Sequence, residues 1–224
     1  MDPRLESRAL TPRYTFAGAG RLVGRPGSTV KRWTSGHART YQGKRVIDPP
    51  LIRMDGSPET FPLSFLNLLE LQLLVHYRDD AALQAIRKAL DYAAAELDVK
   101  RPLLSVRFKT YGGELFARFS DEHGSPLVNA SRGGQTTLEA AAIEATERID
   151  YELDTARRWW VVSRDVPIVV DSRVGAGHPV TADSAVRVDA IRSRHEAGVD
   201  VDEIAYDTGA STDEVVAALN LAAA

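Results

Sequence analysis

Residues 17–33 read AGAGRLVGRPGSTVKRW, and this stretch decides how the first part of the chain folds. A helical pattern begins near Thr15 and ends by Gly24. The run Gly24-Arg25-Pro26-Gly27 is a turn, because proline fixes φ and glycine frees it. A second short helix is expected from about Ser28 to Trp33, with Ser28 as its N-cap and Gly36 closing it. Two helices joined by so short a turn need small residues where they cross, and Ala19 and Gly20 supply them. Val30 and Trp33, three apart, point inward from the second helix. Ser28, Thr29, Lys31 and Arg32 are left on the outer face. Hydroxyls and cations are what a recognition helix presents to phosphates and base edges. Gly43, the pair Pro49-Pro50, Gly56 and Pro58 make residues 37–60 a hairpin or loop region. Arg39, Lys44 and Arg45 would extend the contact from a hairpin wing, and Arg25 would meet a phosphate from the turn.

Charge supports a division of labour along the chain. Residues 1–47 hold ten Lys/Arg and two Asp/Glu, a net of +8, while residues 181–224 hold three and nine, a net of −6. The overall net of −3 hides this asymmetry. A phosphate backbone is the obvious partner for a basic head, and an uneven solvated surface is the plain alternative.

Outward from the head, residues 1–13 look like a loose polar arm. Ser64 caps a helix expected to run to about Arg78, apolar around most of its circumference. Its surplus apolar face is either a dimer surface or an intramolecular one. A cleaner amphipathic helix, about Ala81 to Leu97, carries Leu83, Ile86, Leu90, Ala93 and Leu97 on one face. Beyond Pro102 the period becomes two: Val106, Phe108 and Thr110, the Gly112-Gly113 turn, then Leu115, Ala117 and Phe119. A strand near Leu127 to Ala130, a capping box at Thr136 and Glu139, and short strands within 149–171 follow. The tail reads as three helices: Ala185 to Ala197, then one opened by Asp200 and Glu203, then one opened by Ser211 and Glu214. The domains expected are 1–60, a DNA-binding helix-turn-helix with wing; 61–101, a helical hairpin for dimerisation; 102–176, a β-rich centre; and 177–224, an acidic helical bundle. The fold class is α+β.

Several functions are excluded or left without residues to perform them. There is no cysteine, which removes disulfides, thiolate metal sites and a cysteine nucleophile. The apolar stretch from Phe61 to Val75 is too short and too polar to span a bilayer. The N-terminus shows no apolar signal core, so a cytoplasmic protein is expected. Gly18-Ala19-Gly20 followed by Gly24 has one residue too many for a dinucleotide fingerprint, and no hydrophobic strand precedes it. The five histidines are scattered, and no nucleophile–base pair or metal-ligand spacing emerges. Catalytic residues, metal and cofactor are therefore expected to be none, and function to be binding.

The runs Tyr14-Thr15-Phe16, Leu22-Val23-Gly24 and Ser28-Thr29-Val30-Lys31-Arg32-Trp33 resemble the N-terminal helix-turn-helix of MerR-type regulators. Leu63 to Leu71, Ala85 to Leu90 and Gly134-Gln135 follow at a spacing similar to one group of proteins, the VapB-type antitoxins. The tail, from Gly177-His178-Pro179-Val180 through Ser211-Thr212-Asp213-Glu214-Val215, resembles the small helical domain found in such antitoxins. The resemblance implies a type II toxin–antitoxin module. The chain would bind its own operator, double-stranded DNA, as a homodimer, repress its promoter, and neutralise a cognate PIN-like ribonuclease toxin. Gly18 and Gly20 depart from the helix formers usual in the first helix, and Arg25 from the usual apolar residue at the turn. Acids open the last tail helix, so the tail is expected to meet protein, not phosphate. The alternatives are a MerR-like one-component regulator whose central region senses a ligand, with no toxin, and an enzyme such as a nuclease in the centre.

Overall fold

The run of leucines that made Phe65–Arg78 apolar on every side forms a buried helix, α4, at the middle of the larger of two cores. In the computed structural model, residues 3–78, 83–105, 146–152 and 155–221 are described. The elements in order are α1 (Pro3–Leu10), β1 (Pro12–Tyr14), α2 (Phe16–Leu22), α3 (Gly27–Ser35), β2 (His37–Tyr41), β3 (Lys44–Asp48), β4 (Leu63–Ser64), α4 and α5 (Leu83–Leu97). After a short 3-10 turn at Pro102–Leu104 come β5 (Ile149–Glu152), β6 (Thr155–Trp160), β7 (Ile168–Asp171) and a second 3-10 turn at Gly175–Gly177. β8 (Val180–Thr181), α6 (Val188–Glu196), α7 (Val201–Thr208) and α8 (Thr212–Asn220) complete the chain. The class is α+β. The strands expected at 106–119 and 127–130 and the capping box at Thr136 lie outside the described residues.

Among the described residues, antiparallel pairing joins β1 with β4, β2 with β3 in a hairpin, and β5, β6, β7 and β8 in that order in one sheet. The last is notable because β8 comes from the tail yet pairs with β7, Ile168 opposite Thr181 and Val169 opposite Val180. Residues 65–74 of α4 are all buried within the chain, Leu68, Leu69, Leu71, Leu73 and Leu74 completely. Their surplus apolar face is therefore intramolecular. They form one core with Val30 and Trp33 of the head, Ile86 and Leu90 of α5, and Trp159 and Val170 of the sheet. Ile168, Val188, Ile191, Ile204, Val215 and Ala218 make a second core under the tail helices.

A buried polar knot fixes the segment between hairpin and α4. Asn67 accepts hydrogen bonds from the Asp55 and Ser64 N–H groups and donates to the Arg53 carbonyl and to Glu70. Arg101 pairs with both Asp55 and Glu70. Burial raises the Glu70 pKa to about 7, and Arg101 and Asn67 only partly offset it.

Three sequence expectations need correction. Residues 3–10 are not a loose arm: they form α1, which packs on α4 and β6 with Ala9 fully buried. Tertiary contact, not helix propensity, holds so short a helix. Ser28 is not the N-cap of α3. The helix starts one residue earlier, at Gly27, with Pro26 preceding it and no side-chain cap. Proline's fixed φ sets the entry instead. Finally, α6 begins at Val188, not Ala185, whose φ of 57° is incompatible with a helix.

Candidate nucleic-acid interface

The head is built for close helix crossing. The Thr15 hydroxyl accepts a hydrogen bond from the Gly18 N–H (3.0 Å) and caps α2. A Cβ on Gly20 would sit 2.4 Å from the Arg25 carbonyl oxygen, and one on Gly27 would sit 3.0 Å from the Ala17 backbone. Glycine is therefore required at Gly20 by the approach of the turn itself, which answers its poor helix propensity. Gly24, at φ +66°, supplies the bend between α2 and α3.

Crossing sets the facing of α3. Val30, Trp33 and Thr34 are buried, and the Thr34 hydroxyl donates to the Val30 carbonyl (2.9 Å). Ser28, Lys31, Arg32 and Ser35 are exposed on the opposite side, and Thr29 is half-buried. Trp33's carbonyl accepts hydrogen bonds from the Leu51 and Ile52 N–H groups, so the chain returns to the end of α3 after the hairpin. Gly36 (φ +75°) packs directly on the Asp48 carbonyl oxygen, where a Cβ would lie at 2.5 Å. The β2–β3 hairpin is thereby fixed to the end of α3 at its base.

The hairpin turns at Gln42 (φ 49°) and Gly43 (φ 75°), the two left-handed residues of a tight two-residue connection. Lys44 and Arg45 follow the turn and are exposed; Arg45 pairs in register with Thr40, and Arg39 with Val46. Among the described residues, Lys31, Arg32, Lys44 and Arg45 form no ion pair or hydrogen bond through their side chains. Arg25 sits half-buried in the turn. The geometry thus gathers Ser28, Lys31 and Arg32 on one helical face and joins Lys44 and Arg45 to the same unit through Gly36. Ser35 and Gln42 are further exposed hydrogen-bonding side chains that the sequence reading did not select. The spacing held a clue to Ser35, which lies four after Lys31 on the same face.

The tail helices α7 and α8 repeat the short helix–turn–helix layout with the opposite charge. Asp200 accepts from the Glu203 N–H, Gly209 (φ 70°) ends α7, and Ser211 with Glu214 forms a full capping box on α8. Arg187 pairs with Asp189 and Arg194 with Asp207, while Arg192 donates to the Ala218 and Leu221 carbonyls. Asp202, Glu203 and Asp213 are exposed, as is Tyr206, at 89% of its surface. Burial works to raise the pKa of Glu214, but hydrogen bonds from the Asp183, Ser211 and Ser184 backbone outweigh it and hold the carboxyl below its ordinary value.

Among the described residues no cluster of three His, Asp or Glu side chains could hold a metal ion. No helix among them is long and apolar enough to cross a membrane.

No family model matches the chain. It is 29% identical, over 240 aligned positions, to the Mycobacterium tuberculosis protein named "Putative antitoxin VapB45", covering 100% of this chain and 99% of that one. It is 26% identical over 223 positions to "Uncharacterized protein Rv2308" of the same organism, covering 92% and 88%. Its fold is that of the crystal structure of Rv2018 from Mycobacterium tuberculosis, with a TM-score of 0.74 at 24% identity over 94% of this chain and 98% of that one.

Proposed function

We propose that the chain is a DNA-binding antitoxin of a type II toxin–antitoxin module. It acts by binding, with no catalytic step of its own. The head reads its own operator through a MerR-like winged helix-turn-helix, as a homodimer, and represses its promoter. Ser28, Thr29, Lys31 and Arg32 enter the major groove, and Arg25, Arg39, Lys44 and Arg45 meet phosphates. The acidic tail, residues 177–224, meets a PIN-like ribonuclease toxin. The observation that supports this most is the row of cations Lys31, Arg32, Lys44 and Arg45, unpartnered among the described residues, in a chain similar end to end to the protein named "Putative antitoxin VapB45". Free cations keep their full capacity to displace counterions from a duplex, whereas paired ones must first give up a carboxylate.

The test is fluorescence anisotropy with a duplex carrying the DNA upstream of the chain's own reading frame, across a range of salt concentrations. Saturable binding, weakening with salt at a slope of several units, is expected. Binding no tighter than to an unrelated duplex would remove the operator from the reading. In parallel, the tagged chain purified from its host should carry a small partner protein at stoichiometric yield. Recovery of the chain alone would remove the toxin.

A further inference from the structure

A cavity of about 400 Å³ lies where the head meets the tail, between β1 and α2 on one side and the Gly175–Gly177 turn, α6 and the end of α8 on the other. It is the size of a site for a small organic molecule. Its polar lining is unbalanced. Among the described residues Arg13, Arg21 and Arg192 all contribute, against the carboxylate of Asp189, which is already committed to Arg187. Arg13 donates to the Ser172 and Arg8 carbonyls, and Arg192 to two carbonyls at the end of α8. Neither is neutralised, since a carbonyl carries no formal charge. Arg21 is exposed on α2 and makes no side-chain hydrogen bond or ion pair among the described residues.

A second observation is independent of charge. Tyr14 forms part of the wall and is only 6% exposed, yet its hydroxyl has no hydrogen-bond partner among the described residues. Leaving such a group unsatisfied costs about 1–3 kcal/mol. Gly177 (φ +88°) lets the turn pass beside it, where a Cβ would lie 2.7 Å from the hydroxyl oxygen. Burial holds the phenol pKa above its usual value, so the hydroxyl stays protonated and able to donate. Leu22, Phe61 and Leu221 give the lining its apolar part, and Thr15 and His178 are further polar side chains on it.

We propose that this cavity binds a small organic anion, its carboxylate or phosphate held by Arg21 and Arg13 and its apolar body laid against Leu22, Phe61, Leu221 and the Tyr14 ring. The site is separate from the exposed face of α3 and does not depend on what that face binds. Because it is walled by both head and tail, an occupant would bridge the two.

The full chain is titrated with anilinonaphthalene sulfonate, an aromatic anion that fluoresces on leaving water, and with the uncharged N-phenylnaphthylamine as control. Saturable binding at one site is expected for the anion and clearly weaker binding for the neutral analogue. Arg21→Gln, on an exposed helical position, should weaken the anion about tenfold, in line with losing one charge-assisted hydrogen bond. Equal binding of the neutral analogue, unchanged affinity in Arg21→Gln, or the absence of a saturable site overturns the proposal. So does displacement of the probe by a short DNA duplex, which would assign these cations to a nucleic-acid backbone instead.

Discussion

The head pair α2–α3 and the tail pair α7–α8 are similar short helix–turn–helix units made in different ways. In the head the helices touch through glycine, with Gly20 against the Arg25 carbonyl and Gly27 against Ala17, and α3 enters without a side-chain cap. In the tail both helices carry side-chain N-caps, and Ala205, Ala210 and Ala218 fill the core between them. Among the described residues the head leaves Lys31, Arg32, Lys44 and Arg45 unpaired, whereas the tail pairs Arg187 and Arg194 with carboxylates and exposes acids. A shared layout therefore says little about a partner. What differs is the charge left uncommitted at the surface, which governs attraction to or repulsion from phosphate.

The comparison is broken most directly by charge reversal. Lys31→Glu with Arg32→Glu should weaken duplex binding by about a hundredfold near 0.1 M salt and flatten the salt slope by about two units, as read by anisotropy. Asp202→Lys with Asp213→Lys in the tail should leave the same titration unchanged. If the tail variant weakened duplex binding, the two units would share one function.

Packing gives the next largest difference. Gly20→Ala places a methyl group on the Arg25 carbonyl oxygen and should destabilise the chain by about 3 kcal/mol, measured by denaturant unfolding. The tail's helix pair already holds alanine in its core, and Ala205→Gly should cost only about 1 kcal/mol.

Two buried glutamates sharpen the contrast through pH. Glu214, in the tail, has its pKa held down, so the stability it contributes is present above the unfolded value of 4.5 and is lost as pH falls through its lower folded value. Glu214→Gln should cost about 1–2 kcal/mol at neutral pH, a gap that closes in acid. Glu70, under the head, has its pKa raised from 4.5 to about 7. The stability tied to its neutral form is fully present below pH 4.5 and is lost as pH rises through 7. Glu70→Gln should therefore raise the melting temperature at pH 8 and change it little at pH 4. Opposite pH trends for the two variants are the expected result; parallel trends would refute it. Smallest of all, Ile47→Ser on the hairpin, at a position 66% exposed, should shift stability by less than about 0.5 kcal/mol.

Much of this was legible in the chain because it is written locally. The turn at Gly24-Arg25-Pro26-Gly27 and the caps at Asp200 and Ser211 each depend on a few neighbouring residues. Apart from the local boundaries at Ser28 and Ala185, the misses are non-local. α1 is held by α4 and β6, so nothing in residues 3–10 alone announces it. The pairing of β8 with β7 and the meeting of Arg13 and Arg21 with Arg192 join segments far apart in sequence. Periodicity reported that α4 was apolar all round, but not what would cover it.

That two-residue strand β8 also shields an edge. β7 carries Ile168, Val169 and Val170, all fully buried, and β8 occupies the side of the strand that would otherwise end the sheet. An apolar strand with unpaired N–H and C=O groups is a template for pairing with another molecule. Cutting the chain before Val180 would therefore uncover a sticky margin, and the shortened protein should self-associate into aggregates instead of surviving as a smaller soluble form.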